Sequence, residues 1–404
     1  MIKIKPFRAF RPKRNLVHLV VSRDLKSYKK NTLKVKLKTN PYSFLHIINQ
    51  NTPLKNSNSS KERFQLVRKH FLQFFKKGIF IQDKEKHLYL YKQTTKNKSF
   101  TGIIAAASLK QYEQGIIKKH EETLLKRENL FKKYLNIVNI NAEPILLIHP
   151  SLNSIKQIYQ RYLTSRAEYE FTTTDKITHK FWVINSKDTD LLTKEFKKID
   201  SCYIADGHHR IASSYALYKE NQQTENKKHV LSYFLDEEQV EILEYNRAIK
   251  SLNNLSETSF INQLNQWFKV KPLKKRSKPK KKGEFTLCLK GKWFYLKFKK
   301  EKNKQTDIIS QLDTHILSNY LLKPILKIKN IKSDQNLRFV NGKTPLSKIE
   351  KNCLKGSYEL IIINYPLSLQ QLKQIADNKL IMPPKSTWIE PKLRSGLTLY
   401  NLNE

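Results

Sequence analysis

Five consecutive residues in the middle of the chain combine groups that bind anions and transfer protons: Asp206, Gly207, His208, His209 and Arg210. A short apolar run precedes them and a helical pattern follows, which predicts a strand-to-helix turn. Glycine permits a positive φ and lets the backbone approach a ligand closely. The free N–H groups at a helix start favour anions. The segment therefore predicts a phosphate or carboxylate site with acid–base groups beside it.

Each side chain of this segment has a chemical role that suits such a site. Arg210 presents a planar fork of donors for bidentate phosphate binding, although a salt bridge would use it equally well. His208 and His209 could contact phosphoryl oxygens or transfer a proton; if one lines the site, the other should anchor the turn. Asp206 could accept the proton of a hydroxyl group, hold Mg²⁺, or cap the following helix.

A second group of candidate residues lies upstream: Lys119, His120, Glu121 and Thr123. Helical spacing predicts a helix over residues 120–135, in which His120 and Thr123 share one face. His120 beside Glu121 could provide a base or an anion contact, and the preceding lysine suits a polyphosphate. Leu124 occupies the position where a zinc protease needs histidine, so that class is excluded. An ordinary charged helix start remains the alternative.

Further basic and hydroxyl candidates lie in the C-terminal half of the chain: Arg247, Lys385, Ser386, Thr387 and Lys392. The Lys-Ser-Thr sequence is not preceded by the glycine pattern of a P-loop, which excludes that motif. The rigid Pro383-Pro384 pair could present these side chains to an anion. A C-terminal strap with Trp388 in the core is an equally good interpretation.

Length and composition indicate a globular, intracellular protein. The 404 residues suffice for two or three domains, and 39% hydrophobic with 11% aromatic residues can build a sizeable core. The sequence contains no apolar run near the roughly 20 residues of a membrane span, and its first residues lack a secretory h-region. Three widely spaced cysteines suit a reducing compartment. We therefore predict a cytoplasmic location, no membrane partner and a small-molecule substrate.

The net charge of +42, from 77 basic and 35 acidic residues, raises the question of nucleic-acid binding. Lysine is abundant together with Asn, Ile, Tyr and Phe, residues that share A/T-rich codons, so genome composition explains the bias. The densest run, residues 271–282, contains two prolines and is predicted to be a basic loop. We expect no specific nucleic-acid partner, only weak nonspecific binding at low salt.

Hydrophobic periodicity predicts the elements that position these residues. The expected helices are residues 62–77, 120–135, 155–163, 191–199, 257–268 and 308–321, and one opened by Ser368. The expected strands are residues 100–107, 145–148, 168–174, 177–184, 202–205, 230–235 and 358–364, with hairpins at 79–91 and 285–298. Their irregular alternation predicts an α+β fold, a mixed sheet with flanking helices.

The predicted domain organisation has three parts. Residues 1–60 show little periodicity and are expected to form an extended N-terminal wrap. Residues 61–250 would form a catalytic α/β core that carries both motifs. Residues 251–404 would form a C-terminal α/β domain that ends in the strap at residues 382–388.

Five segments, in this order, resemble the domain of unknown function 1015 family over nearly the whole chain: residues 6–12 (PFRAFRP), 40–46 (NPYSFLH), 112–123 (YEQGIIKKHEET), 205–210 (ADGHHR) and 382–397 (MPPKSTWIEPKLRSGL). The ADGHHR turn is the hallmark of that family. One departure is the loop at residues 21–24, where only Asp24 fits the usual Pro-Pro-Tyr-Asp-like segment. The sequence therefore gives no support to a role for this loop.

The turn is also similar to that of free-serine kinases, which have the ParB/sulfiredoxin-like fold. This resemblance implies a ParB/sulfiredoxin-like core around the turn, elaborated at both ends. It implies a phosphotransferase that converts free L-serine to O-phosphoserine, or the reverse, with Mg²⁺ and with ATP, ADP or pyrophosphate as donor. Arg210, His208 and the helix start would hold the phosphoryl group. Asp206, or Glu121 beside His120, would take the hydroxyl proton.

Two other classes of function stay open at this point. A ParB-like nucleotide- or DNA-binding protein would show a helix-turn-helix and a steep salt dependence of DNA affinity. A metal-dependent hydrolase would use Asp206, His208 and His120 and would copurify with Zn²⁺ or Mn²⁺. The phosphotransferase hypothesis needs His120, Arg210 and Lys385 to converge in space.

Overall fold

The computed structural model describes residues 1–49, 59–299, 307–331 and 333–404. The chain forms two compact units. The first consists of Met1–Lys119, Thr123–Val240 and Pro391–Glu404, and the second of His120–Glu122 and Glu241–Glu390. Each unit combines a β-sheet with helices, which confirms the predicted α+β class. The predicted three-part division of the chain stays a prediction.

The first unit is built on a mixed sheet. Its strands are β1 Ile4–Lys5, β2 Phe10–Pro12, β3 Phe80–Gln82, β4 Tyr89–Thr94, β5 Ser99–Ser108, β6 Ile117–Lys118, β7 Ile140–Asn141, β8 Ile145–His149, β9 Tyr169–Thr172, β10 Thr178–Val183, β11 Cys202–Asp206 and β12 His229–Asp236. The main sheet has the order β6–β11–β8–β12–β5–β4–β10–β9, with β1 paired to β5. The β6–β11 and β8–β12 pairs are parallel and the other pairs antiparallel.

Helices flank this sheet and form most of the remaining regular structure of the first unit. They are α1 Val17–Val20, α2 Lys30–Thr39, α3 Leu45–Ile48, α4 Ser60–Lys76, α5 Leu109–Glu113, α6 Leu125–Val138, α7 Asn153–Leu163, α8 Ser186–Phe196 and α9 His208–Glu220. Short 3₁₀ turns occupy Leu25–Ser27 and Glu225–Lys228. Because α1 to α3 lie within the first 49 residues, the N-terminal segment is not extended along its whole length.

Strand β5 lies inside the main sheet, and residues 100–107 are all buried, so both of its faces are covered. Ile103, Ala105 and Ala107 belong to the main core, which also includes Ile145 of β8 and Ile211 of α9. A nearly continuous apolar run is typical of a strand covered on both sides. The predicted buried strand at residues 100–107 is confirmed.

The predicted hairpin at residues 79–91 is wrong. Strand β3 pairs with β2, whereas β4 pairs with β5 and β10. The N-terminal segment takes the place of the hairpin partner, because Phe7 exchanges main-chain hydrogen bonds with His87 and Ala9 accepts one from Asp83. Pairing between distant segments therefore replaced the local pairing that the charged turn suggested.

The second unit has an antiparallel sheet of its own. Its strands are β13 Glu241–Leu243, β14 Tyr245–Ile249, β15 Phe268–Leu273, β16 Glu284–Leu289, β17 Lys292–Phe298, β18 Leu337–Asn341, β19 Leu360–Ile363 and β20 Trp388–Glu390. The main sheet has the order β15–β17–β16–β19–β14–β18, and β13 pairs with β20. Its helices are α10 Glu257–Asn265, α11 Asp313–Leu317 with a π-helical continuation at Ser318–Leu322, α12 Leu346–Leu354 and α13 Leu369–Asp377.

Two local sequence signals of the second unit are confirmed and one is partly wrong. The hairpin at residues 285–298 forms as predicted, and Ser368 caps α13 through a capping box with Gln371. The basic run at residues 271–282 is not entirely a loop, because its first three residues belong to β15. This strand lies at the edge of the sheet, where proline and lysine are tolerated.

No helix in the described parts of the chain is both long and apolar enough to cross a membrane.

Candidate active site

Strand β11 places the candidate residues at its carboxyl end, in the first unit. Its apolar residues are buried, and the pairing with β8 changes register between Ile204 and Asp206. Such an irregularity bends a strand and re-aims its side chains, and it occurs often beside active sites. The predicted strand–turn–helix arrangement is confirmed, since α9 starts at His208 directly after the turn.

Gly207 is the residue that makes this turn possible. Its φ is +104°, and no side chain caps the N-terminus of α9. A Cβ atom at this position would lie 2.9 Å from Arg210 Nε and 3.3 Å from Ile145 Cγ1. The turn therefore needs glycine both for its backbone conformation and for the close approach of Arg210.

Asp206 binds two cations instead of capping the helix. Its Oδ1 accepts a hydrogen bond from Lys392 Nζ at 3.1 Å, and its Oδ2 accepts one from Arg210 Nη2 at 2.7 Å. Burial alone would raise the pKa of Asp206, but Lys392 and Arg210 outweigh it and lower that pKa to about 2. The carboxylate is thus ionised at neutral pH, and the helix-cap interpretation is wrong.

Arg210 lies between two carboxylates. It forms ion pairs with Asp206 and with Glu143, a residue two positions before β8. Burial would lower the pKa of Arg210, but Glu143 and Asp206 raise it above its ordinary value. Its Nε is buried and has no hydrogen-bond partner among the described residues. Nη1 and Nη2 thus each contact a carboxylate, whereas the Nε–H donor makes no hydrogen bond to the described residues.

Glu143 is a site residue that sequence reasoning missed. It reaches Arg210 because β8, which follows it, runs antiparallel to β11, so the start of β8 lies beside the end of β11. Nothing in the local sequence around Glu143 indicates this pairing. A prediction of the β8–β11 neighbourhood would have been needed to find it.

The two histidines have different environments. His208 is 5% exposed. Burial lowers its pKa to about 3 against the opposing effect of Asp206, so the imidazole is neutral at physiological pH. His209 Nε2 accepts a hydrogen bond from the main-chain N–H of Leu124 at 3.2 Å. His209 therefore anchors the segment before α6, while His208 stays next to the charged residues of the turn.

Lys119 lies close to the turn because of strand pairing. It directly follows β6, which runs parallel to β11 with Tyr203 opposite Lys118. Parallel neighbours end at the same edge of a sheet, and Lys119 contributes to the lowering of the His208 pKa. The positive charges of Lys119, Arg210 and Lys392 thus lie near the carboxyl ends of the parallel strands β6 and β11.

The predicted helix start at residue 120 is wrong. Helix α6 begins at Leu125, and the residues before it are not helical, so His120 and Thr123 do not share a helix face. The Leu124 main chain explains the boundary, because its N–H bonds to His209 while its carbonyl accepts from Glu128 N. The Thr123 hydroxyl bonds to the Glu128 carboxylate.

His120 and Glu121 belong to the second unit. The imidazole of His120 is fully buried, and its main-chain carbonyl accepts a hydrogen bond from Met382 N at 2.9 Å. This bond ties His120 to the start of the strap at residues 382–388 within the second unit. The convergence of His120 and Lys385 with Arg210 stays a prediction.

Arg247 and Lys385, two predicted basic residues of the second unit, both contact Tyr245. Arg247 is 1% exposed, its Nη1 donates to the Tyr245 carbonyl, and its guanidinium carbon is 5.4 Å from the Phe339 ring centre. Lys385 Nζ is 5.3 Å from the centre of the Tyr245 ring. Burial lowers the pKa of Arg247 to about 10, so the group keeps its charge at neutral pH.

The hydroxyl residues beside Lys385 bond locally. Ser386 Oγ donates to the Pro383 carbonyl at 2.6 Å and lies 3.2 Å from Thr314 Oγ1. Thr387 is buried. These contacts fix the strap in its own unit, and a role for either hydroxyl in anion binding stays a prediction.

The residues of the turn fit Mg²⁺ only in combination with a phosphate ligand. The described part of the chain contains no group of three or more His, Cys, Asp or Glu side chains arranged to hold a metal ion. Mg²⁺ commonly takes one or two carboxylates and completes its shell with water and substrate phosphates. Asp206 could provide one carboxylate oxygen if a phosphate displaced Lys392 or Arg210 from it.

The chain belongs to the DUF1015 family, described as proteins of unknown function, whose sequence profile matches residues 4–315. This match covers most of the chain and confirms the predicted family. A comparison with curated proteins gives no match.

Solved structures with similar topology include a mutant free serine kinase in complex with ADP, at 14% identity and a TM-score of 0.39, covering 75% of this chain and 92% of that one. A truncated SbnI from Staphylococcus aureus has 13% identity and a TM-score of 0.37, covering 71% and 82%. A conserved hypothetical protein from Pyrococcus furiosus has 16% identity and a TM-score of 0.35, covering 72% and 90%. At these scores the similarity does not assign an activity or a ligand to the present chain.

Proposed function

We propose that the protein is a phosphotransferase that moves a phosphoryl group to or from a small hydroxyl amino acid, with free L-serine and O-phosphoserine as the pair. One observation carries the proposal. The uncapped N-terminus of α9 is reached through a glycine at positive φ and has two cations, Arg210 and Lys392, beside it. This combination is typical of phosphate sites.

Binding of a phosphoryl group would exchange ion-pair partners. Asp206 and Glu143 neutralise Arg210, and Asp206 also binds Lys392. A phosphoryl group carries more negative charge than one carboxylate and accepts several hydrogen bonds. It would therefore compete with Asp206 for Lys392 and Arg210, while Glu143 keeps the guanidinium in place.

This exchange would also activate Asp206 as a base. Lys392 and Arg210 are the charges that lower the pKa of Asp206 to about 2. When phosphoryl oxygens take these cations, the pKa of Asp206 rises, and the carboxylate accepts a proton more readily. The serine hydroxyl oxygen would form the new bond to phosphorus, the bond to the donor would break, and Asp206 would take the hydroxyl proton.

Mg²⁺ and the donor belong to the same proposal. Mg²⁺ neutralises charge on a transferring phosphoryl group, and holding this ion is the alternative role of Asp206 to that of base. ATP, ADP and pyrophosphate are the candidate donors. His208, neutral and buried, would donate or accept one hydrogen bond without adding charge.

Phosphorus NMR of the purified protein tests the proposal directly. The protein would be supplied with Mg²⁺ and L-serine, and in turn with ATP, ADP and pyrophosphate. A parallel sample would contain O-phosphoserine with ADP or phosphate. A phosphoserine signal that grows or decays establishes the reaction and names the donor. Silence in every sample, from protein shown to be folded, contradicts serine chemistry.

Substitutions at the turn then connect the activity to this site. Arg210→Met and His208→Gln should each lower turnover by about 100-fold or more, the scale of a lost transition-state contact. Lys156→Gln is a matched control, because Lys156 of the same unit pairs with Glu238 at the surface. Wild-type rates in both turn variants would remove the turn from the mechanism.

The other two classes of function have their own readouts. Stoichiometric Zn²⁺ or Mn²⁺ in the purified protein, with donor-independent hydrolysis, would support the metal hydrolase. Sequence-specific DNA binding with a steep salt dependence would support the ParB-like protein.

A further inference from the structure

Arg247 of β14 is a buried cation without an anionic partner. Arg247 is 1% exposed, and no carboxylate among the described residues forms an ion pair with it. Its Nη1 donates to the carbonyl of Tyr245, while its Nε is buried and makes no hydrogen bond to the described residues. Buried charges are costly unless they are paired, so this arginine stands out in the second unit.

The carboxylates closest to Tyr245 along the chain and strands are already neutralised. Glu244, which directly precedes Tyr245, pairs with Lys278 at 2.7 Å. Glu390 of β20 pairs with Lys343 at 2.9 Å. Arg247 and Lys385 are then the surplus charges, because neither forms an ion pair within the described chain. Arg247 and Lys385 are thus two cations near Tyr245 that the neighbouring carboxylates Glu244 and Glu390 do not neutralise.

Asn364, at the end of β19, adds a buried acceptor to this region. Its Nδ2 donates to the Tyr245 carbonyl at 2.6 Å, the same carbonyl that accepts from Arg247. Its Oδ1 is buried and has no hydrogen-bond partner among the described residues. A donor of Arg247 and an acceptor of Asn364 are therefore both unsatisfied beside one carbonyl, and native structures rarely leave such groups without a partner.

We propose that Arg247, Lys385 and Asn364 form a binding site for a small organic phosphate in the second unit. The phosphate oxygens would accept from Arg247 Nε and Lys385 Nζ. A hydroxyl or N–H group of the same ligand would donate to Asn364 Oδ1. The unsatisfied acceptor favours an organic phosphate over inorganic phosphate or pyrophosphate at neutral pH, because the latter two offer few or no donors.

Equilibrium binding tests the site without any turnover. The full-length protein would be titrated calorimetrically with ADP, O-phosphoserine, pyrophosphate and inorganic phosphate, each without a phosphoryl acceptor. The Arg210→Met background weakens phosphate binding at the α9 turn, so the remaining heat reports the second unit. We expect an organic phosphate to bind more tightly than the inorganic ones.

Matched variants assign that binding to the proposed residues. Arg247→Met keeps the side-chain volume and removes the charge, and we expect it to weaken binding about 10- to 100-fold, the scale of lost charge-assisted hydrogen bonds. Lys385→Gln should weaken it less, because Lys385 is exposed. Lys292→Gln is the control, since Lys292 is an exposed lysine of the same unit that pairs with Glu257. If Arg247→Met does not fold, Arg247→Lys and Lys385→Gln still decide the question.

The results separate this site from the proposed reaction. The site is overturned if the Arg247 variant that folds and Lys385→Gln both bind with wild-type affinity. It is also overturned if none of the four ligands binds. Either result holds even if the enzyme turns over. Arg247-dependent binding without any turnover supports the site and counts against the phosphotransferase alone.

Discussion

Asp206 and Arg210 are each held by two opposite charges. Asp206 binds Arg210 and Lys392, and Arg210 binds Asp206 and Glu143. Such a chain of alternating charges fixes the geometry of each group, yet leaves the cations exchangeable because their side chains are partly exposed. Under the proposed function, an incoming phosphate would replace a carboxylate without breaking the fold.

Gly207→Ala tests the turn at this scale. The substitution strains a φ of +104° and crowds Arg210 Nε, so we expect a loss of about 1–2 kcal/mol in the free energy of unfolding and weaker phosphate binding. Gly115→Ala is the control, because Gly115 also has positive φ, at +73°, but has no heavy atom within 4 Å of the new Cβ. Urea unfolding should show a smaller loss for Gly115→Ala, which has the backbone strain without the crowding, and binding should be impaired only in Gly207→Ala. Normal binding in Gly207→Ala would count against the turn as a phosphate site.

The buried His208 predicts a pH dependence of stability. Its pKa falls from 6.5 in the unfolded chain to about 3 in the folded protein. Between these pH values the unfolded state binds more protons than the folded state. The contribution of His208 to the free energy of unfolding is therefore complete above pH 6.5 and is lost as the pH falls toward 3. The slope for one such histidine is about 1.4 kcal/mol per pH unit.

Urea unfolding of wild type and His208→Gln over this pH range measures that contribution. As the pH is lowered, the free energy of unfolding of His208→Gln should fall less steeply than that of the wild type. The difference in slope should equal the contribution of one histidine. His179, whose pKa burial likewise lowers to about 3, accounts for a remaining part of the slope in both proteins. Identical slopes for the two proteins would contradict the environment assigned to His208.

The C-terminal segment Pro391–Glu404 is the element that brings Lys392 to the turn. It crosses the first unit through main-chain bonds of Ser395 with Ser22 and of Leu399 with Phe10. Its short strand, Tyr400–Asn401, pairs with β7. The position of Lys392 thus depends on contacts made by the residues that follow it.

The strongest side-chain anchor of this segment is Arg394. The Arg394 side chain is 4% exposed, and its Nη2 binds both carboxylate oxygens of Asp175, at 2.8 and 3.0 Å. Arg394→Met should cost about 2–3 kcal/mol in the free energy of unfolding, because it removes one partner of a largely buried pair. Arg161→Met is the control: the Arg161 side chain is 54% exposed, and its buried partner Asp188 keeps hydrogen bonds from Tyr162 and Asn185.

The same variant tests whether the segment positions Lys392. With a loosened anchor, we expect KM for the phosphate-bearing substrate to rise more than kcat falls, and Asp175→Asn to have the same effect. The control Arg161→Met should change stability by less than about 1 kcal/mol and leave KM unchanged. Equal effects of the buried and exposed variants would contradict the anchoring role.

At the scale of the whole molecule, the dominant physical feature is the net charge of +42. Like charges repel and destabilise the compact state, and salt screens this repulsion as the Debye length falls from about 30 Å at 0.01 M to about 8 Å at 0.15 M. We therefore expect Tm to rise by several degrees between these concentrations of sodium chloride.

Sodium sulfate at equal ionic strength distinguishes screening from anion binding. Screening alone predicts the same Tm in chloride and sulfate at low concentration. A larger rise in sulfate that disappears in Arg210→Met or Arg247→Met would show that these arginines hold an anion. A Tm independent of salt would contradict net repulsion as a factor in stability.

Local sequence signals determined a large part of this protein. The apolar run at residues 100–107 predicted β5, the Ser368 cap predicted α13, and the DGHHR segment predicted the turn before α9. These features depend on interactions between residues that are close in the chain: side-chain periodicity, a capping hydrogen bond and the backbone freedom of one glycine. Such interactions can be inferred before any tertiary contact is known.

Tertiary structure alone decided which charges meet. Glu143 reaches Arg210 through the β8–β11 pairing, and Lys392 reaches Asp206 from 186 positions away in the sequence. The start of α6 at Leu125 likewise depends on the bond from Leu124 to His209. These contacts join segments that are distant in the chain, and their formation depends on the pairing of strands and the path of the C-terminal segment. Residue types and spacing within a single segment predict neither the strand pairing nor the path of the C-terminal segment.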